Sequence, residues 1–408
     1  MNKIILMLGT FDSKGKEFAY LYSELKRRGA NVLTMNTGVL GGTDLFEIDI
    51  PAEEVALRGG ESLEVLRKNA DRGVAMGVMS KGARAICQEL QQQGKIHAVI
   101  GMGGGGGTSI ATTAMQGLPV GFPKVCITTL ASGNTSEYVG SKDIVLFPSI
   151  VDIAGINQFS RLIISRAAGA ICGMVETDPI MDENDDPIVM ISMFGNTTKC
   201  VEMCAEMLKE KGFESLIFHA TGGGGRAMES LILENMAVAV LDITTTEWAD
   251  EYCGGALTAG PQRLDGPGIV GIPHVICPGC LDMVNFGGLE TVPEKFKQGD
   301  RNLSVWNPMV TLMRTTKEEN IGLGKVLAEK ANASKAPVAF ILPKRGLSIL
   351  DAEGERFWDP EADQALFDSI REHANPEIPI WEIDANINDP LFAQKAVELL
   401  MEIYAKKS

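Results

Sequence analysis

The sequence predicts an α/β protein of two domains, each a mainly parallel sheet covered by helices, related by internal duplication and facing each other across a cleft. Three observations predict this. Short, continuous apolar runs alternate with amphipathic stretches, as in parallel sheets buried on both faces. One order of elements occurs twice. Two glycine runs each follow an apolar strand and precede a helical stretch.

The elements follow in order. Ile4 to Leu8 reads as a first buried strand. Gly9, Thr10, Phe11, Asp12, Ser13 and Lys14 form its polar exit, a helical stretch runs to Arg28, Gly29 stops it, and a strand starts at Asn31. Ile188 to Met193, Gly195 to Lys199, a helix to Lys211, Gly212 and a strand from Ser215 repeat that order. Basic residues in a last turn followed by glycine mark a helix C-terminus. Residues 39–95 are an insertion in the first half, with a strand-like acidic stretch from Leu45 to Ile50 and a long helical segment from Gly60.

The first glycine run then follows Ala98, Val99 and Ile100; it is Gly101, Met102, Gly103, Gly104, Gly105, Gly106, Gly107 and Thr108. A helix from Ser109 to Met115 and a strand ending in Thr128 and Thr129 come next. The second run is Gly222, Gly223, Gly224 and Gly225, with Arg226 after it. It too is followed by a helix, Met228 to Asn235, and a strand ending in Thr244, Thr245 and Thr246. A helix between Asp152 and Gly173 closes the first half, and the acidic, turn-rich stretch from Glu176 to Pro187 reads as a linker. The boundary falls near residue 180, giving domains 1–180 with its glycine loop at 101–108 and 181–408 with its loop at 221–226. A strand, Pro337 to Pro343, and a helix, Pro390 to Lys406, complete the second half.

Composition narrows the function. Of 408 residues 45% are hydrophobic and 22% charged, ordinary values for a globular chain. A net charge of -16 argues against nucleic acid as the main partner, which needs a basic face. No apolar window is long enough to span a bilayer, and the first residues read as a strand rather than a leader, so the expected compartment is the cytoplasm. Eight scattered cysteines favour buried free thiols over disulfides. Cys277-Pro278-Gly279-Cys280 lacks a second ligand pair and reads as a strand-end turn, so no metal site is expected.

The glycine runs carry the functional expectation. Backbone amides aimed from such a loop at one point attract phosphate. Gly103 to Gly107 with Thr108, and Gly222 to Gly225 with Arg226, are therefore the candidate phosphate-binding segments. Thr10, Lys14, Thr129, Gly133, Asn134, Thr135, Thr245 and Thr246 fall at strand exits on the same expected edges. Asp12 and Glu247 add carboxylates there, as a general base or magnesium ligand. Neither a dinucleotide fingerprint with its ribose-binding acid nor a Walker A motif is present.

In combination, Gly9-Thr10-Phe11-Asp12-Ser13-Lys14, Gly103 to Gly107, Gly133-Asn134-Thr135, Thr221 to Gly225, Thr244 to Glu247, Pro278-Gly279 with Leu281 to Phe286, and Asp359 to Asp363 resemble the UPF0261 family. The same pattern forms the N-terminal region of the plant Tm-1 virus-resistance proteins. The resemblance covers essentially the whole chain. It implies two Rossmann-like domains, ATP as ligand with Mg²⁺ as a candidate companion, and self-association into a homo-oligomer. The expected function is nucleotide binding, with action on a small metabolite in the inter-domain cleft. The alternatives are a non-catalytic ATP-binding module or a nucleotide-sugar transferase or epimerase.

Overall fold

Gly9 ends the first strand of the computed structural model, which describes residues 3–177 and 186–406. The chain divides into two units, 1–180 and 181–408. The stretch read as a linker lies largely outside the described residues.

The first unit runs β1 (Ile4–Gly9), α1 (Phe11–Arg27), β2 (Asn31–Asn36), α2 (Ala52–Gly59), α3 (Leu63–Asn69), α4 (Arg72–Gln92), β3 (Ala98–Gly103), α5 (Gly105–Gln116), β4 (Lys124–Thr128), α6 (Ser136–Val139), β5 (Val145–Pro148) and α7 (Gln158–Glu176). Its sheet is parallel throughout, in the order β2-β1-β3-β4-β5. Alternate residues of β1 enter opposite cores, as strand periodicity requires. Leu6 and Leu8 pack with α2 to α5, while Ile5 and Met7 pack with α1 and α7.

The second unit runs β6 (Ile188–Met193), α8 (Thr198–Glu210), β7 (Glu214–His219), α9 (Gly223–Leu233), β8 (Ala239–Thr244), α10 (Glu247–Cys253), α11 (Gly266–Val270) and β9 (His274–Gly279). It continues with β10 (Met283–Phe286), α12 (Glu294–Lys297), β11 (Leu303–Asn307), β12 (Val310–Arg314), α13 (Lys317–Ala333), β13 (Val338–Pro343), α14 (Pro360–His373), β14 (Ile380–Ile383) and α15 (Pro390–Ala405). The main sheet is parallel, in the order β14-β13-β9-β8-β6-β7. A small antiparallel sheet, β10-β12-β11, sits beside it in the chain order. Among the described residues no helix is long and apolar enough to cross a membrane.

Sheet order shows the duplication. Replacing β1, β2, β3, β4 and β5 by β6, β7, β8, β9 and β13 converts the first order into the second, with β14 added at one edge. This equivalence corrects the pairing of the glycine runs. The first run follows β3, a central strand. The second follows β7, the edge counterpart of β2. The element that matches the first run is the exit of β8, which carries Thr245, Thr246 and Glu247 in place of glycines.

Two local expectations also change. Leu45 to Ile50 forms no strand. Only an isolated bridge, Met35 to Ile50, is made, and Asp49 is held by the amide and hydroxyl of Thr34. The helical segment of the insertion breaks into α2, α3 and α4. Gly60, at φ +102°, ends α2, and Ser62 and Asp71 cap α3 and α4 through their side chains.

Candidate functional site

In a parallel sheet of order 2-1-3-4-5, ligands bind outside the C-terminal ends of the strands where the chain reverses direction across the sheet. In the first unit that switch lies between β1 and β3. Thr10 leaves β1 there, and Gly103 ends β3. A cavity of about 560 Å³ opens at this point, lined entirely by first-unit residues. That volume suits a nucleotide-sized ligand.

Three helices start on the cavity wall. α1 begins after Thr10, α4 after Asp71 and α5 after Gly104, and Thr10, Asp71 and Gly104 all line the space. Each helix start brings positive dipole ends and unpaired amides. The first turn of α5 is made of Gly105, Gly106 and Gly107. The run expected as a loop is thus partly helical, and no side chain caps it. Among the described residues these three amides have no protein acceptor.

Packing explains only part of this run. A Cβ at Gly103 would lie 2.6 Å from Gly107 Cα, so Gly103 is required by the fold. At Gly105 a Cβ would meet nothing within 4 Å, and at Gly104 its nearest neighbour would be Thr129 Oγ1 at 3.8 Å. Neither has a positive φ. Packing within the protein therefore does not require glycine at 105.

The second run has the opposite character. Gly222 has φ +77°, and a Cβ on it would lie 2.5 Å from Thr258 O. A Cβ on Gly224 would lie 1.8 Å from His219 O, and one on Gly225 would lie 2.2 Å from Glu247 Oε2. Only Gly223 faces open space. The amides are engaged as well: Gly222 N and Gly225 N donate to Glu247 Oε1 at 2.7 and 3.1 Å. A carboxylate of the protein occupies the place read as a phosphate cradle.

Glu247 belongs to a sealed charge network. Its Oε2 accepts from Arg263 Nε at 2.8 Å, and Arg263, only 1% exposed, also reaches Asp242 and Glu229. His274 Nε2 lies 2.7 Å from Asp242 Oδ2. Burial opposes the charge on Asp242, but the Arg263 guanidinium and His274 override it and hold its carboxyl well below the usual range. At Glu229 burial wins and pushes the carboxyl up, against the pull of Arg263. Glu247, expected as a general base or magnesium ligand beside a phosphate loop at Gly222 to Gly225, instead accepts from that loop's amides and from Arg263.

The remaining candidates separate. Thr10, Asp12, Lys14 and Gly103 to Gly107 all line the cavity. Asp12 Oδ2 accepts from Leu40 N at 2.9 Å and so fastens the insertion, and Lys14 Nζ donates to Ile153 O. Thr108 does not line it: its hydroxyl is buried against Thr128 Oγ1 at 2.7 Å and Gly103 O. Thr129 sits beside Gly104 but outside the lining, as do Gly133, Asn134 and Thr135. Asn134 Oδ1 accepts from Ser136 N just before α6. In the second unit Thr245 and Thr246 donate to Cys277 O and Met283 O, and Arg226 to Thr258 O. Those hydroxyls are buried, so none presents a free group.

The sequence reading missed Thr37, Arg67, Arg72, Met76 and Met79, which complete the cavity. The signal was the insertion itself, whose helices α3 and α4 supply most of them. Cys277 and Cys280 are buried free thiols, with burial raising both well above the usual range.

The family models named "Uncharacterised protein family (UPF0261)" match this chain with an N-terminal domain over residues 3–179 and a C-terminal domain over 186–404. The chain belongs to the UPF0261 family. A UPF0261 protein of Clostridium tetani is 49% identical over 100% of both chains. The ToMV resistance protein Tm-1(GCR237) of Solanum lycopersicum is 37% identical over 98% of this UPF0261 chain and 56% of its own length. Among solved structures, a UDP-N-acetylglucosamine 2-epimerase from Rickettsia bellii aligns with 67% of this chain and 78% of its own, at 13% identity and a TM-score of 0.23. That likeness is too weak to bear on the site.

Proposed function

We propose that this protein binds a nucleotide, ATP, in the first-unit cavity. One observation carries the reading: Gly105, Gly106 and Gly107 present amides without protein acceptors to a cavity at the switch point, and Gly105 has no packing reason to be glycine. A phosphate supplies the missing acceptors and fills the space a side chain would take. The apolar wall of Leu66, Ala75, Met76, Met79 and Ile110 suits the flat, uncharged face of a base.

Binding is favoured over turnover. Neither carboxylate read as catalytic is placed for chemistry: Glu247 is sealed in its network, and Asp12 holds the backbone of the insertion. Calorimetric titration with ATP, with and without Mg²⁺, tests the proposal. One site per chain is expected, weakened at least about tenfold in Gly105→Val. Undiminished binding by a folded Gly105→Val protein, or two equivalent sites, sinks it.

A further inference from the structure

We propose that Arg72, carried by the inserted helix α4, is the residue that reads the phosphate chain, so that the cavity selects nucleoside di- and triphosphates over monophosphates. This rests on the nucleotide reading above.

Charged side chains on the cavity wall are accounted for one by one. Lys14 Nζ donates to Ile153 O. Arg67 Nε donates to Val39 O at 2.5 Å and its Nη2 lies 3.9 Å from Glu53. Asp12 accepts from Leu40 N, and Asp71 from Val74 N. Arg72 alone among these has no hydrogen bond or ion pair within the described residues. Its Nη2 would lie 3.4 Å from a Cβ on Gly106, which puts the guanidinium directly over the glycine turn. A planar guanidinium without a carboxylate partner, beside three open amides, matches a chain of phosphates: the amides take one and Arg72 the next.

A second, independent group points to a ligand. Thr37, at the exit of β2, is 2% exposed and lines the cavity, and its hydroxyl has no hydrogen-bond partner among the described residues. A buried orphan hydroxyl is costly unless a ligand group or an ordered water satisfies it. Being neutral, it suits the sugar of a nucleotide. The arrangement therefore holds two chemistries apart: neutral polar at Thr37 and anionic at Gly105 to Gly107 with Arg72.

The test is calorimetric titration of the full chain with adenosine, AMP, ADP and ATP at fixed low ionic strength. The parent should bind ADP and ATP at least about tenfold more tightly than AMP, roughly 1.4 kcal/mol. Arg72→Ala should abolish that ratio while leaving adenosine and AMP near parental affinity, and Arg72→Lys should restore part of it. Thr37→Val, nearly isosteric, should weaken all four ligands by a similar factor without lowering the unfolding temperature. Arg72→Ala with the parental ATP-to-AMP ratio overturns the clamp while leaving nucleotide binding intact. A parent that binds none of the four overturns the cavity reading and the clamp together.

Discussion

Arg263 Nε donates to Glu247 Oε2 at 2.8 Å, and both side chains are about 1% exposed. This pair, rather than a bound anion, fills the mouth of the second glycine run. Breaking one partner of a buried ion pair costs about 3–5 kcal/mol. Glu247→Ala should therefore lower unfolding free energy by about that amount in urea, through the lost pair and the orphaned amides of Gly222 and Gly225. Nucleotide stoichiometry should not change in protein that remains folded. An unaltered urea midpoint refutes the structural role.

The two runs should respond oppositely to substitution. Gly105→Val should keep the parental melting temperature while ATP affinity falls about tenfold, because a Cβ there meets no protein atom within 4 Å and would intrude only on the proposed ligand. Gly224→Ala sets its methyl 1.8 Å from the His219 carbonyl and should destabilise the chain without touching the first-unit site. Calorimetry paired with thermal unfolding distinguishes the two. A large loss of stability in Gly105→Val contradicts the contrast.

Stability should fall as pH rises from about 5 to 7. Burial pushes the Asp250 carboxyl up to about 7 and that of Asp282 up to about 6. Glu229, Asp351 and Asp363 are raised by burial as well. In this window the folded state holds more protons than the unfolded chain, so each such group removes up to about 1.4 kcal/mol per pH unit on ionising. Asp242, Glu24 and Glu319, held low by their basic partners, act with the opposite sign only at more acid pH. Urea midpoints across that range, at constant ionic strength, check this, and Asp250→Asn should flatten the profile. A midpoint that climbs steadily to pH 7 refutes it.

All eight cysteines should resist a thiol reagent in the native protein. Each is free and buried, and burial raises the thiols of Cys87, Cys126 and Cys253 to about 12. The thiolate is the reactive form. Eight should react after denaturation and none before. Cys277 lies within β9 and Cys280 directly after it, so the turn expected at Pro278-Gly279 comes later, and rapid native reaction of either thiol contradicts their burial.

Much of the architecture was legible because buried strands announce themselves by composition: Ile4 to Gly9, Ala98 to Gly103 and Ala239 to Thr244 are almost wholly apolar and central in their sheets. Strand neighbours were not legible. The strand from Ser215 matches the strand from Asn31 in the sequence, as the sheet order has it, but pairing the two glycine runs also looks natural because each follows a strand. The first follows the central β3, while the second follows β7, an edge strand beside β6. For the same reason Glu247 read as an active-site acid. Its partner Arg263 lies 16 residues away, and nothing local predicts that bond. The first glycine run, which lines the cavity, stands out in the sequence. Arg72 and Thr37 do not, because the fold brings them to it from a distant helix start and a different strand exit.

Beginning a helix with Gly105, Gly106 and Gly107 has a dynamic consequence. Three successive residues of poor helical propensity weaken the first turn of α5 by about 2–3 kcal/mol against alanine. That turn should open and close far more often than the buried strand Ala98–Gly103 that delivers it. Ligand phosphate, by accepting from those amides, would stiffen the turn. Amide hydrogen exchange at residues 105–108 then becomes a direct gauge of occupancy, slowing on saturation while β3 stays protected throughout.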